Sequence, residues 1–217
     1  EIKRLRVQGF TYGDMAIFYR ANSLSRPFEE QLSQSRIPYK LVGQGFYDRK
    51  EIKDARGYLQ VIMNPLDDIN LGRVINTPTR GIGAKSVQLM YEVARDEGCA
   101  PYDALGHIAR RTSEFGKAGK KLAAFWEMME SLRGRAREIG AQSLLREILA
   151  KSGYKDRLEQ DGSIESESRL SNLDELINVA AEFEPTPGLP GLQTFLERMA
   201  LRSGTDELPT EGGVVTL

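Results

Sequence analysis

One short stretch, which reads Thr-Arg-Gly-Ile-Gly-Ala-Lys-Ser from position 79, combines two glycines with two basic residues and hydroxyl groups. Gly81 and Gly83 lack a side chain, so the backbone there can adopt a positive φ and approach another surface closely. Arg80 and Lys85 supply positive charge, and Ser86 supplies a hydroxyl. These groups are typical of a site that holds one nucleic-acid phosphate without reading its base. A glycine turn that only joins two helices would have the same composition, so both interpretations stay open.

The elements on either side of this stretch are predicted to be short helices. Asp67 and Asp68 can cap the first helix, and apolar residues recur at helical spacing in both. The apolar positions are Ile69, Val74 and Ile75 before the turn, and Val87, Met90, Tyr91 and Ala94 after it. The second helix therefore begins directly behind the glycines. Its first N–H groups have no acceptor within the helix and form a natural anion site.

The composition is that of an ordinary globular chain, because 40% of the 217 residues are hydrophobic and 28% are charged. Thirty Lys and Arg residues stand against 31 Asp and Glu residues, which gives a formal net charge of −1. Contact with nucleic acid must then come from a local basic surface. Cys99 is the single cysteine and His107 the single histidine, so neither an internal disulfide nor a cysteine-based metal site is expected.

No stretch of the sequence is apolar enough to span a membrane, and no signal peptide is recognisable. A reducing cytoplasm is the expected compartment, since the sequence has one cysteine. The chain begins with Glu1 and ends in Val214–Leu217, which resembles a strand cut short. We therefore expect the chain to be a piece of a larger protein.

The fold is expected to be mainly α, with a small parallel α/β remnant at the two ends of the chain. Met15–Tyr19 is a nearly continuous apolar run, which is typical of a strand buried on both faces. A helix follows, then a second strand at Tyr39–Val42 and a third at Val214–Leu217. We predict that the three strands share one parallel sheet and that the long segment between the last two strands is helical.

Caps and breakers predict several boundaries within the helical part. Asp48 and Glu51 have the spacing of a capping box, for a helix that ends at Asn64–Pro65. One face of this helix is predicted to be apolar and carries Ile52, Ala55, Leu59 and Ile62. Three segments are not assigned to helices: Pro101–Arg111 is poorly defined, Gln160–Ser163 is predicted to be a loop and Pro185–Gly191 a mobile connector.

No complete active site is found in the sequence. Gly116–Lys121 is not a phosphate-binding loop, because Glu114 stands where that pattern requires glycine and Lys121 where it requires a hydroxyl residue. The acidic pairs Asp67–Asp68 and Asp174–Glu175 do not follow a buried strand, as the Mg²⁺-binding carboxylates of an NTPase would. We expect no catalytic residue, no metal site and no cofactor site in this chain.

Several blocks in order along the chain resemble the UvrD/PcrA/Rep family of superfamily 1 DNA helicases. Ala16–Arg26 is similar to the family segment AVLYRTNAQSR, and Asn76–Gly83 is similar to the block that contains Gly-Ile-Gly. Further matching blocks are Ile37–Tyr39, Phe46–Asp54, Asn64–Pro65, Ser152–Tyr154 and Glu167–Leu176. The resemblance covers essentially the whole chain, although Pro101–Arg137 is matched weakly.

The resemblance implies an organisation in three parts. Residues 1–41 would belong to the second RecA-like motor domain (2A), residues 42–211 would form the helical inserted subdomain (2B), and residues 212–217 would be a returning strand of 2A. In the family, the residues that bind ATP and Mg²⁺ lie in the other motor domain. The parent protein is therefore expected to be an ATP-dependent 3'-5' DNA helicase of repair or replication, cytoplasmic and associated with a bacterial nucleoid. This chain alone is expected to be inactive.

The resemblance also implies roles for individual residues. The asparagine that matches Asn22 lies near the single-stranded DNA track, and the Gly-Ile-Gly turn contacts the duplex backbone. Arg20 and Arg26 are expected to pair with carboxylates inside 2A. The expected partners are double-stranded DNA, the junction of single and double strands, the remaining helicase domains and repair proteins, and no membrane. The expected DNA-binding residues are Asn22, Lys53, Thr79, Arg80, Gly81, Ile82, Gly83, Lys85 and Ser86.

A second function is compatible with the same sequence. The inserted subdomain could be a protein-interaction and autoinhibitory module that binds partner proteins or the motor itself, with DNA contact secondary. The two functions differ in whether partners remain bound after nuclease treatment.

Overall fold

The computed structural model describes residues 1–20, 24–182, 186–202 and 213–217. Helices dominate these ranges, and the prediction of a mainly α fold with a small parallel sheet is confirmed. In chain order the helices are α1 (Ile2–Val7), α2 (Ser25–Gln34), α3 (Lys50–Met63), α4 (Asp68–Val74), α5 (Ala84–Glu97), α6 (Pro101–Arg110), α7 (Gly116–Arg135), α8 (Ala141–Lys151), α9 (Tyr154–Asp161), α10 (Ile164–Glu182) and α11 (Leu189–Arg202), and the strands are β1 (Tyr39–Lys40) and β2 (Val215–Thr216).

The parallel sheet joins the beginning of the chain to its end. Tyr39 pairs with Val215, so β1 and β2 run side by side in the same direction. On the other edge of β2, Thr216 forms a parallel bridge with Ala16, and its carbonyl accepts the N–H of Ile17 at 2.8 Å. The three predicted segments therefore meet in one sheet, with β2 in the middle. The first segment contributes a single bridge and no full strand within the described residues.

The burial predicted for the first of these segments is wrong. Met15 is 7% exposed, but Phe18 is 93% exposed, so the segment is not covered on both faces. Met15 packs in a small cluster with Leu32 and Ile37. Successive side chains of an extended segment point to opposite sides. Phe18 therefore points away from the cluster.

Helix α3 is central to the helical part and packs against α4, α8, α10 and α11. Ile52, Tyr58 and Leu59 have no exposed surface, and the predicted apolar face is buried as expected. The helix ends at Met63 because Pro65 prevents a further turn.

The predicted capping box at the start of α3 is wrong. The N-cap residue is Arg49, and no side-chain capping hydrogen bond forms there. The Asp48 carboxylate instead pairs with Lys53 at 2.9 Å, and the Glu51 carboxylate accepts from the buried amide of Asn172 at 2.6 Å.

Three predicted boundaries differ from the structure. The segment left undefined contains α6, which begins at Pro101, where proline suits the first helical turn, and buries three large side chains, Tyr102, Leu105 and Ile108. The predicted loop starts later than expected, because α9 continues to Asp161. The predicted connector is also too long, since α11 begins at Leu189; residues 183–185 lie outside the described residues.

A buried arginine of α2, Arg26, connects this helix to α10. Arg26 pairs with Glu30 at 3.1 Å, as predicted, but it also pairs with Glu175 at 2.7 Å and Glu182 at 2.9 Å on α10. Arg20 has no carboxylate within 4.0 Å among the described residues, so the pairing predicted for it is not found.

Arg49 makes a second connection of the same kind. Its two terminal nitrogens donate to Ser25 Oγ at 2.9 Å and Asn172 Oδ1 at 2.8 Å. These contacts run from α2 through the start of α3 to α10, and all three residues are buried. Charge-assisted hydrogen bonds of this kind fix the relative position of the helices they join.

Across the described residues, none of the helices is both long enough and apolar enough to cross a membrane. The same ranges contain no group of three His, Cys, Asp or Glu side chains that is arranged to hold a metal ion.

Candidate nucleic-acid interface

The predicted helix-turn-helix is present, with α4 and α5 joined by the loop 75–83. Asp67 caps α4 as predicted, because its Oδ1 accepts the N–H of Asn70 at 3.0 Å. Inside the loop, Asn76 Oδ1 accepts the N–H groups of Arg80 at 2.9 Å and Ile82 at 3.1 Å. Ile82 is 1% exposed and anchors the turn in the core. The glycines on either side of Ile82 are therefore held in fixed positions.

The guanidinium of Arg80 points into the loop rather than out to solvent. Nη1 donates to the carbonyl oxygens of Val74 at 2.8 Å and Ile75 at 3.0 Å. Nη2 lies 3.3 Å from the carbonyl of Thr77 and 3.4 Å from that of Ser152. These contacts satisfy carbonyl groups at the end of α4, where the helix has no donors of its own. The side chain thus stabilises the loop, and a phosphate contact by Arg80 stays a prediction.

Two aromatic residues complete the environment of Arg80. Nη2 donates to the Tyr58 hydroxyl at 2.7 Å, and the guanidinium lies 5.3 Å from the centre of the Phe125 ring. The Tyr58 hydroxyl donates in turn to the carbonyl of Thr77. Burial raises the pKa of Tyr58, so this donor keeps its proton. The loop is therefore attached to both α3 and α7.

The two glycines of the turn have different structural roles. Gly81 has a φ of +74°, and a Cβ there would overlap the ammonium group of Lys121, whose Nζ donates to the Gly81 carbonyl at 3.0 Å. Gly83 has a φ of −88° and a ψ of −177°, which any residue can adopt. A Cβ on Gly83 would meet no atom within 4 Å. The fold itself does not require glycine at position 83, and open space lies beside it.

Main-chain donors at the start of α5 lie next to this space. Gly83 is the N-cap, and its carbonyl accepts the N–H groups of Ser86 at 2.9 Å and Val87 at 3.1 Å. The N–H groups of Gly83, Ala84 and Lys85 have no acceptor among the described residues, and all three residues are exposed. Three adjacent donors at a helix N-terminus attract an anion through their hydrogen atoms and through the helix dipole.

Two basic side chains lie near these donors. Lys85 is exposed and forms no ion pair with any described carboxylate, and Lys121 reaches the turn from α7. The sequence analysis missed Lys121, because no spacing rule connects two positions 40 residues apart.

The remaining predicted residues are not all placed at the turn. Thr79 is exposed in the loop, but Ser86 is only 8% exposed, so its hydroxyl is less accessible than expected. Lys53 lies on α3 and pairs with Asp48. Asn22 lies outside the described residues. The structure thus brings together residues 79–86 and adds Lys121.

The helical part carries the Gly-Ile-Gly turn and lies, along the chain, between two strands that pair in one parallel sheet. This arrangement agrees with the family to which the chain is assigned by comparison. The chain belongs to the family of the UvrD-like helicase C-terminal domain, which it matches over residues 1–211.

The chain is also similar to two bacterial proteins, each named ATP-dependent DNA helicase PcrA. It is 41% identical over 224 residues to the protein of Staphylococcus epidermidis and 39% identical over 224 residues to that of Staphylococcus aureus. Both matches cover 100% of this chain and 30% of the relative. The chain therefore spans about a third of the length of these relatives.

Proposed function

We propose that this chain is the duplex- and junction-binding, regulatory portion of an ATP-dependent 3'-5' DNA helicase of repair or replication. Membership of the UvrD-like family and similarity to proteins named ATP-dependent DNA helicase support this function. Residues 1–41 and 212–217 would then be parts of motor domain 2A, and residues 42–211 subdomain 2B. ATP and Mg²⁺ would bind elsewhere in the parent protein. The partners would be DNA, the remaining helicase domains and repair proteins, in a bacterial cytoplasm.

One observation carries the proposal: the unbonded N–H groups of Gly83, Ala84 and Lys85 beside open space. The oxygen atoms of a DNA phosphate accept hydrogen bonds from such donors, and the rigid loop fixes the donor geometry before binding. Lys85 and Lys121 add positive charge at the same place. Because main-chain N–H groups at a helix start contact phosphates and not base edges, binding would be independent of sequence.

Fluorescence anisotropy with a labelled hairpin duplex tests this function. Gly83→Gln fills the open space without changing charge, and Gly134→Gln is the matched control on α7, since a Cβ at Gly134 also meets nothing within 4 Å. We expect Gly83→Gln to weaken binding about tenfold, which corresponds to about 1.4 kcal/mol, and Gly134→Gln to bind as the parent does. Binding should also fall with salt, with a slope of about −0.9 per phosphate contacted.

The protein-interaction function predicts that Gly83→Gln binds duplex DNA normally. If folded Gly83→Gln binds duplex as tightly as the parent, the turn is only a connector. The protein-interaction and autoinhibitory function would then be favoured, and the exposed Leu66 and Ile69 at the corner between α3 and α4 would be candidate contacts. Affinity purification after nuclease treatment, with and without Ile69→Lys, would test that function directly.

A further inference from the structure

A cleft of about 170 Å³ lies beside the loop that precedes the glycine turn. It is bounded by residues 76–79 of the loop, the first residue of α3, and helices α9 and α10. Three cationic side chains line it, Lys50, Arg157 and Arg169, and the lining includes no acidic residue. In a chain with 30 basic and 31 acidic residues, this is a marked local excess of positive charge.

Two of the three cations are available to an external anion. Lys50 and Arg157 are exposed, and neither has a carboxylate within 4.0 Å among the described residues. Arg169 pairs with Glu165, one turn earlier on α10. Asp161, one turn after Arg157, interacts with it electrostatically, but its carboxylate accepts hydrogen bonds from Ser163 at 2.5 Å and Ser166 at 2.6 Å.

The size and the donors of the cleft indicate the class of ligand. Pockets for drug-sized molecules have volumes of about 300–1,000 Å³, so this cleft is smaller than such a pocket. It suits a group of the size of one phosphate. Thr77 and Thr79 add hydroxyl groups to the lining, and hydroxyl groups and basic side chains are the usual partners of backbone phosphates.

The loop connects this cleft to the start of α5. Thr79 lines the cleft, and Gly81 and Gly83 follow it directly in the turn. We propose that the cleft formed by Lys50, Arg157, Arg169 and residues 76–79 binds a second backbone phosphate of the DNA that contacts the turn. This inference rests on the proposed function, because it assigns a further contact to the same DNA.

Charge reversal at two positions of α9, one that lines the cleft and one that does not, tests the phosphate site in the cleft. Arg157→Glu removes a lining cation, and Lys155→Glu is the control, since Lys155 is exposed on the same helix but does not line the cleft. Both variants change the net charge equally. We expect Arg157→Glu to weaken binding of the hairpin duplex about tenfold more than Lys155→Glu does, and to make the salt slope shallower by about one phosphate contact. Lys50→Gln, at a second exposed position, should act in the same direction.

Parallel measurement of Gly83→Gln separates the two sites. Equal effects of Arg157→Glu and Lys155→Glu would overturn the cleft site, even if Gly83→Gln loses affinity and the turn site stands. Loss of affinity in Arg157→Glu and Lys50→Gln, with normal binding by Gly83→Gln, would support a phosphate in the cleft but overturn the turn site, and with it the inference that one DNA contacts both. Normal binding by all the folded variants would overturn both.

Discussion

Arg80 donates a hydrogen bond from Nη2 to the hydroxyl of Tyr58 across 2.7 Å, and this contact attaches the glycine turn to α3. Tyr58 has no exposed surface, so the contact lies against the core. The conformation of the turn depends on this polar pair as well as on the buried side chain of Ile82.

We expect Tyr58→Phe to lower the free energy of unfolding by about 1–3 kcal/mol, because it removes the partner of Arg80 and the donor to Thr77. Arg80→Met should cost at least as much, since several carbonyl groups lose their donor. Urea unfolding followed by circular dichroism measures both. Arg146→Met, at an exposed position of α8, is the control and should stay within about 0.5 kcal/mol of the parent. Equal stability of the Arg80 and Arg146 variants would contradict the prediction.

The two glycines of the turn should respond differently to the same substitution. Gly81→Ser should lower the free energy of unfolding by about 1–2 kcal/mol, because φ at this position is +74°. Gly83→Ser should leave stability unchanged within about 0.5 kcal/mol or raise it, since serine is a favoured N-cap residue. Thermal or urea unfolding of the two variants distinguishes them. The prediction fails if Gly83→Ser is the less stable of the pair.

Removal of Arg26 should loosen the attachment of α2 to α10. Arg26→Met leaves Glu30 and Glu175 without their shared partner, and these carboxylates are 18% and 21% exposed. We expect a loss of roughly 2–3 kcal/mol, less than for a fully buried ion pair. Arg4→Met is the matched control, because its ion pair with Glu1 is largely exposed and should contribute little. A loss no larger than in this control, measured by urea unfolding, would refute the prediction.

The hydrogen bonds to Asp161 predict a pH dependence of stability. The hydroxyls of Ser163 and Ser166 hold the pKa of Asp161 below its ordinary value of 3.8 in the folded chain. A carboxylate whose pKa is lower in the folded chain than in the unfolded chain stabilises the fold at pH values above the unfolded-state pKa. This stabilisation is lost as the pH falls through the folded-state pKa. Asp161→Asn should therefore be less stable than the parent at neutral pH. The difference between their urea midpoints should shrink below pH 3.8, and a difference that is constant with pH would disprove this origin.

Local features of the sequence were sufficient to predict several elements. The apolar repeat of α3 and the Asp67 cap of α4 depend on residues within a few positions of each other, and both are confirmed. The small sheet was also predicted from three apolar segments. The exposure of Phe18 was not, because a short apolar run does not reveal whether a second layer covers it.

Contacts between distant positions account for what sequence alone did not predict. The sequence predicts a phosphate contact for Arg80 but not its hydrogen bond to the carbonyl of Ser152, 72 residues away. The sequence predicts that Asp48 caps α3, but the N-cap residue is Arg49, whose guanidinium binds Asn172 on α10. Hydrogen bonds between distant residues override local capping preferences. Sequence spacing does not reveal them, because they form only when the helices pack together.

The donors at the start of α5 belong to the main chain, so exchanging the side chains of Ala84 or Lys85 changes charge and shape but leaves the hydrogen-bonding pattern intact. Proline alone deletes a donor of this type. Ala84 is the first helical residue, where proline is tolerated, and the extended backbone of Gly83 suits a residue that precedes proline. Substitutions of the side chains can therefore change most of this surface while its main-chain donors remain. Ala84→Pro, in contrast, would remove one donor and leave the helix in place.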